Sequence, residues 1–410
     1  MARRHLTLPP LPEQVVTRAD QLAELCDYLS TQPVVAFDTE FVGEDSYRPD
    51  LCLIQVSTPD RLAVIDPLAV GDVDPFWRLL LDPARTTVAH AGREETRLCW
   101  HAVGRPPAKL FDIQIAASLV GFTFPIGYGG IVQELIGHRT SKAETLTDWR
   151  RRPLTPAQMR YAFDDVRFLL PLYKLLTGRL RQLDRLAWAD EEMTTYVADW
   201  ITDDPAGEKW RRVKGLGGLS RRELAVAREV FQWRDQFASR VNRPARQIMR
   251  DDLLSDIARR SPARVDDLLQ YRGVPRGEAE SIAAAVRAGL ALPAEQLPAA
   301  PERDNDLPHV GTLATLLGVV LADLAARTFL APNLVATTGD LKELVRSVQP
   351  GADPIPADCR LASGWRAEFI RPQLDAVLAG KSVLVVRDPR KPSPLTDPPG
   401  GATYAPSPLP

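Results

Sequence analysis

A chain of 410 residues is long for a single ordinary hydrophobic core, so two or three domains are expected. Hydrophobic residues at 45% and charged residues at 25% are the balance of a soluble globular protein, and a formal net charge of −2 excludes an overall basic excess; any nucleic-acid footprint must be local. The cysteines Cys26, Cys52, Cys99 and Cys359 form no CxxC pair and have no histidine at zinc-finger spacing, which argues against structural zinc and a disulfide framework. The start of the chain runs into Pro9 and Pro10 without an apolar stretch, and no window approaches about 20 uninterrupted apolar residues, so neither a signal peptide nor a membrane span is expected. A cytoplasmic enzyme is the default expectation.

Residues 1–18 read as a loose lead-in. From about 20 to 177 the pattern is α/β. Val34–Phe37 is a short buried strand, and Leu51–Ser57 and Leu62–Ile65 are two more. The intervening Thr58-Pro59-Asp60-Arg61 is too short for a crossover helix, so that pair should be antiparallel. Thr87–Ala89 is a fourth strand, followed by a helix through Leu98 and Trp100. A brief strand at Lys109–Phe111 precedes a helix from Ile113. Thr155 is placed to cap a long helix from Pro156 through Leu176. This is a mixed sheet with flanking helices, not a doubly wound parallel fold. After about 205 the periodicity is helical throughout: Leu224, Ala227, Phe231 and Ala238, then Leu253, Leu254 and Ile257, then Ile282, Ala283 and Val286.

The most informative local feature is Phe37-Asp38-Thr39-Glu40-Phe41. Side chains alternate along a strand, so Asp38 and Glu40 project on the same side. Two like charges held that close repel unless a cation sits between them, and hard oxygen ligands of this kind suit Mg²⁺ or Mn²⁺. The plainer alternative is a strand end that becomes solvated. In Tyr161-Ala162-Phe163-Asp164-Asp165, Tyr161 and Asp165 stand four apart and share a helix face. A helix acid there could complete the strand pair's metal site and a phenol one turn away could orient water; an exposed Asp beside a half-buried Tyr is the common alternative. His90-Ala91-Gly92-Arg93-Glu94-Glu95 marks a strand giving way to a helix, where acids favour the dipole.

Taken in order, DTEF, HAGxEx and YxxxD resemble the exonuclease domain of ribonuclease D, the tyrosine-bearing branch of the DEDD exonucleases. Leu53-Ile54-Gln55, Ile65-Asp66-Pro67-Leu68, Phe111-Asp112-Ile113-Gln114, Lys142 and Thr147-Asp148-Trp149 add to the likeness, which runs from about 33 to 176. It implies an α/β ribonuclease-H-like fold and a two-metal 3′→5′ exoribonuclease that releases nucleoside 5′-monophosphates. By position, Asp38, Glu40 and Asp165 would hold the first divalent ion, Mg²⁺ or Mn²⁺. Asp38 would bridge to the second with Glu95 in support, and Tyr161 would position the attacking water. One departure stands out: the family has Asp where this chain has Glu95, with Glu94 a less favoured substitute. Asp112 is expected to cap a helix. Phe41, Gln55 and His90 are candidates for contact with the substrate end, with a structural histidine the equal alternative for His90.

Residues 208–290 contain 18 Lys plus Arg against 11 Asp plus Glu. Trp210-Arg211-Arg212-Val213-Lys214-Gly215, Trp233-Arg234-Asp235, Asn242-Arg243-Pro244 and Tyr271-Arg272-Gly273-Val274 resemble an HRDC domain, a helical module that commonly binds nucleic acid. Arg211, Arg212, Lys214 and Arg243 are its candidate contacts. Leu334–Thr337, Asp340-Leu341 and Gly364-Trp365-Arg366 resemble a divergent second HRDC domain. The expected organisation is an N-terminal extension at 1–18, an exonuclease domain at 19–200, all-α HRDC-like domains at 207–291 and 307–386, a proline-rich linker at 292–306, and a disordered tail at 387–410. The expected partner is RNA with a single-stranded 3′ end, such as a tRNA precursor, bound by a monomer without a membrane. Metal chemistry does not distinguish sugars, so a DNA-directed exonuclease is the alternative, and a non-catalytic RNA-binding scaffold is another.

Overall fold

The structure, a computed structural model, describes residues 8–140, 147–201, 208–300, 306–382, 384–386, 388–393 and 395. Lys142 lies outside them. The first part is a six-stranded mixed sheet of β1 (Glu13–Val16), β2 (Val34–Val42), β3 (Asp50–Ser57), β4 (Leu62–Ile65), β5 (Thr86–Ala89) and β6 (Leu110–Asp112), in the order β1-β4-β3-β2-β5-β6. The β2–β3 and β3–β4 pairs are antiparallel; β1–β4, β2–β5 and β5–β6 are parallel. Helices α1 (Ala19–Ser30), α2 (Pro67–Val70), α3 (Asp74–Leu79), α4 (Arg93–Val103), α5 (Ile113–Ser118), α6 (Tyr128–Leu135), α7 (Pro156–Arg167), α8 (Leu169–Gln182) and α9 (Leu186–Ile201) flank it.

Strand alternation sorts the core into two layers. Val35 and Phe37 of β2 pack with Leu22, Phe76, Trp77 and Cys99 from α1, α3 and α4. Ala36 between them faces the layer built by α5 to α8. Two expectations need correction here. Residues 13–16 are not a loose extension: they form edge strand β1, with Val16 fully buried. The helix expected from 156 to 176 is two helices, broken at Phe168. Pro171 explains the break, because it has no N–H to donate to the carbonyl four residues back and its ring crowds that carbonyl.

The first all-α unit contains α10 (Arg221–Val241), α11 (Ala245–Ile248), α12 (Asp251–Arg260), α13 (Val265–Leu268) and α14 (Ala279–Ala291) around their own core. A Ser220–Glu223 capping box starts α10 and Asn242 in the left-handed conformation ends it. Gly289 lets α14 approach the α10 backbone; a Cβ there would stand 2.6 Å from the Val226 Cα. The linker is strapped to this unit. Arg221 donates to the carbonyls of Leu297 and Pro298, Arg222 to Leu290 and Leu292, and Arg211 to Ala299. Part of the positive charge of this unit therefore holds its own chain.

The second helical unit contains α15 (Pro308–Thr328), α16 (Pro332–Val335), α17 (Thr338–Ser347) and α18 (Arg371–Leu378). Among the described residues it has no separate core. Leu317, Leu344 and Trp365 belong to the same buried cluster as Leu119, Leu172 and Leu180 beside the sheet. The fully buried Arg185 guanidinium donates to the Leu119 carbonyl at 2.7 Å and to that of Phe329 at 3.1 Å. Trp365 stacks on Trp188 with centroids 4.7 Å apart and donates to Glu192 at 2.7 Å, while Arg366 pairs with the same carboxylate. By length and apolar composition α15 would pass as a membrane span, yet its Leu317, Leu321 and Ala325 are buried in this cluster. Part of the expected disordered tail is also ordered: Val386 bridges to Leu395, whose N–H donates to Asp323 of α15. Residues 396–410 lie outside the described residues.

Candidate active site

The site forms where β2 outruns its neighbour. β5 pairs with β2 only through Ala36, so beyond that point one edge of β2 is open at Asp38 and Glu40. Asp38 and Glu40 point to the Ala36 face, where α7 crosses and brings in Asp165. Thr39 points to the other face, and its hydroxyl donates to Glu95 Oε1 at 2.9 Å. Glu95 comes from the first turn of α4, which begins beside the open edge. A bulge between Glu40 and Phe41 ends the regular register and leaves Phe41 half-buried at the strand end.

Two devices set the incoming helices. The fully buried Asp112 caps α5 through the N–H groups of Gln114 and Ile115, and also accepts from Ala91 and Gly92. It pins the turn that launches α4. Gly92 is required there because a Cβ would stand 2.8 Å from that of Ala89. On the other side, the Thr155 capping box and Pro156 start α7 as expected. The break at its far end is bridged by Tyr128, whose hydroxyl donates to the Asp164 carbonyl at 2.8 Å and accepts from the Phe168 N–H at 3.4 Å. A phenol thus replaces the helical hydrogen bond between those two residues, directly beside Asp165. Tyr128 carries no sequence signal of its own, although Pro171 announces the break that it fills.

Four carboxylates converge. Burial first, then the Asp165 charge, pushes Asp38 up to about 8. Burial, then Asp38 and Glu95, pushes Glu40 up to about 9. Burial, then Asp38, raises Glu95 to about 8, and burial, then Glu40, raises Asp165 to about 8. Among the described residues none of the four is in an ion pair with Lys, Arg or His, and Asp165 Oδ2 is buried without a hydrogen-bond partner. Buried acids with only like charges for neighbours fit a divalent cation, which would supply the missing counter-charge through hard oxygen donors. Among the described residues no three of His, Cys, Asp or Glu stand at closed coordination spacing, so the acids line the site rather than form a finished cage. Tyr161, one turn before Asp165, holds that carboxyl through its hydroxyl and rests against the buried Trp149 at 5.9 Å between centroids.

Of the two adjacent acids on α4, Glu95 is buried and reaches Thr39, whereas Glu94 is half-exposed and pairs with Arg93 and Arg97. Gln55 is a correction. It sits opposite Asp38 on β3 and is fully buried, with neither amide atom hydrogen-bonded among the described residues, so it is closed to direct contact with a nucleic acid. The His90 ring packs on Tyr128 at 5.7 Å, its Nδ1 is buried without a partner among the described residues, and burial lowers its pKa. Arg211, Arg212, Lys214 and Arg243 are remote in sequence and exposed on the first helical unit. Arg211 is spent on Glu208 and the linker; Lys214 borders a surface hollow with Arg246 and Arg250. All four cysteines are buried and free.

Comparison with known proteins agrees with this architecture. A 3′-5′ exonuclease family model matches residues 13–181 and an HRDC domain model matches 223–286. Ribonuclease D of Acidiphilium cryptum is 35% identical over 93% of this chain and 97% of its own length, and that of Granulibacter bethesdensis is 36% identical over 94% and 97%. The structure superposes on Escherichia coli RNase D with a TM-score of 0.78 at 28% identity, covering 90% of this chain and 99% of that one. The first sequence match begins on β1 and ends within α8, so the edge strand is part of the shared domain. The chain belongs to the ribonuclease D family and is a 3′–5′ exoribonuclease acting on RNA.

Proposed function

We propose that Asp38, Glu40, Glu95 and Asp165 hold two divalent ions, Mg²⁺ or Mn²⁺, and that Tyr161 places the attacking water. The observation that carries this is the convergence of four buried carboxylates, unpaired with any cationic side chain among the described residues, from β2, α4 and α7. Bound there, such ions supply Lewis acidity to the attacking water and to the departing 3′ oxygen. Asp38, Glu40 and Asp165 would hold one ion, and Asp38 with Glu95 would hold the other. The Tyr161 hydroxyl, one helical turn from Asp165, orients water for in-line attack on the terminal phosphodiester. Thr39 keeps the Glu95 carboxylate turned toward β2, and Tyr128 keeps Asp165 in place by sealing the break after α7.

The substrate under this reading is RNA with a single-stranded 3′ end, trimmed one nucleotide at a time by a cytoplasmic monomer. Precursors of tRNA are the natural class, in keeping with the description of E. coli RNase D as an exoribonuclease involved in structured RNA processing. The first helical unit binds the body of the RNA, and the second, HRDC-like unit braces the catalytic core with which it shares its interior. The test is release of nucleoside monophosphates from a 3′-overhang RNA, with and without EDTA, beside a matched DNA. Wild-type protein is expected to trim the RNA only with the ion; Asp38→Ala is expected to be inactive, and Tyr161→Phe to lose about 10²-fold or more in kcat while still binding RNA. Trimming by Asp38→Ala at the wild-type rate would dismiss the metal assignment.

A further inference from the structure

A cleft of about 450 Å³ lies between the catalytic part and the first helical unit. Its walls are the loop between β2 and β3, the outer face of α4, the residues before α10 and one side of α10 itself. Two contacts close the seam next to it. The Tyr47 hydroxyl donates to Asp235 of α10 at 2.9 Å, and the Arg48 N–H donates to the Asn242 side chain at 3.1 Å. Arg48, Arg97, Trp100, His101 and Lys209 line the opening. Trp100 is 39% exposed, an unusual setting for the largest apolar side chain. Trp100 and His101 lie five and six residues beyond Glu95 on α4, so at 3.6 residues per turn they face away from the carboxylates. The cleft is therefore a second place, behind the helix that carries Glu95.

Its chemistry is that of a strand-binding groove: cations for the phosphates and an aromatic face on which a base can stack. Burial, then the neighbouring charges of Arg97 and Arg48, depresses the His101 pKa, while Glu94, which pairs with Arg97, acts the other way. The acid in the lining, Asp235, is already taken up by Tyr47. We infer that this cleft binds a single-stranded segment of the substrate RNA lying upstream of the 3′ end, with a base stacked on Trp100 and its phosphates against Arg48, Arg97 and Lys209. The inference rests on the exoribonuclease reading for its ligand but not on the metal site for its geometry. It also assigns a purpose to the domain seam: closing Tyr47 and Arg48 onto α10 completes a groove that neither domain has alone.

The test compares kcat/KM on a single-stranded RNA of about 20 nucleotides with that on a trinucleotide too short to reach behind α4. For Arg48→Ala/Trp100→Ala the ratio of long to short is expected to fall at least about tenfold through KM, and Trp100→Phe, which keeps a stacking ring, is expected to restore most of it. Fluorescence anisotropy of the long RNA on Asp38→Asn protein reads binding without cleavage; there the double variant should also flatten the salt dependence by about one unit of slope. A ratio unchanged within about twofold, an equal loss on both lengths, or no rescue by Trp100→Phe would overturn the assignment. A protein that binds the long RNA through Trp100 yet trims nothing would defeat the metal assignment and leave the cleft standing.

Discussion

The crowding of acids around β2 makes a counterintuitive prediction: neutralising Asp38 should kill the enzyme and stabilise the ion-free fold. Asp38, Glu40, Glu95 and Asp165 all titrate near pH 8 to 9, far above ordinary carboxylates, because burial and mutual repulsion disfavour their charged forms. Raised carboxyl values mean that the folded state holds protons which the unfolded chain releases near pH 4. The stability they confer is complete below that range and is lost as pH rises through about 8. The Asp38 charge acts directly on Glu40 and Glu95. Relief of about one pKa unit on either is about 1.4 kcal/mol, so relief of these neighbours alone should make Asp38→Asn stabilise the ion-free protein by at least about 1–3 kcal/mol at about pH 8.5, and removal of the buried Asp38 charge itself adds to this. For a domain of this size that is a few degrees in Tm, about 2–4 °C per kcal/mol. Thermal unfolding followed by circular dichroism in EDTA measures it. The gain should shrink at about pH 5.5, where the neighbours are already protonated, and Mg²⁺ should stabilise wild type more than the variant at the higher pH. Equal destabilisation of Asp38→Asn at both pH values would refute the electrostatic reasoning.

Three further changes probe the supports. Glu95→Asp withdraws the carboxylate from Thr39 and forfeits one hydrogen bond, about 1 kcal/mol, so nuclease activity in a metal titration should stay within about tenfold of wild type. Loss of all activity would show that the site has adapted to the longer side chain. Tyr128→Phe leaves the Asp164 carbonyl and the Phe168 N–H without their bridge; it should cost about 1–3 kcal/mol in urea unfolding and lower kcat, and unchanged values would remove Tyr128 as the brace of Asp165. Glu192→Gln leaves the buried Arg366 charge uncompensated and should cost about 3–5 kcal/mol, whereas replacing both partners by Met should recover much of that; a Glu192→Gln protein that melts with wild type would show that the pair does not hold the second helical unit.

What could be read from the linear chain is what local rules govern. Alternation along a strand put Asp38 and Glu40 on one side, and helical spacing put Tyr161 over Asp165. Thr155 with Pro156 marked the start of α7, and Asp112 marked the start of α5. The short turn at 58–61 forced β3 and β4 to run antiparallel. These features depend on a residue and its near neighbours, and they were enough for the mixed sheet and for the order of the acidic motifs. Even the break after α7 was present in principle, in Pro171.

The rest depended on which distant surfaces meet. Glu94 and Glu95 are chemically alike, and only the docking of α4 beside the open edge of β2 turns one inward to Thr39 and leaves the other in water. Gln55 looked available on a strand beside the acids, but the helices over the sheet bury it completely. Residues 13–16 have no strong strand pattern and become a strand because β4 offers them an unpaired edge. Arg211, one of the candidate RNA contacts, also fastens the linker through the Ala299 carbonyl, since guanidinium groups satisfy backbone carbonyls as readily as phosphates. Periodicity showed that the second helical unit is helical; it could not show that Arg185, Glu192 and Trp188 fuse it to the catalytic core, because sharing a core is a property of two surfaces and a periodic pattern records only one.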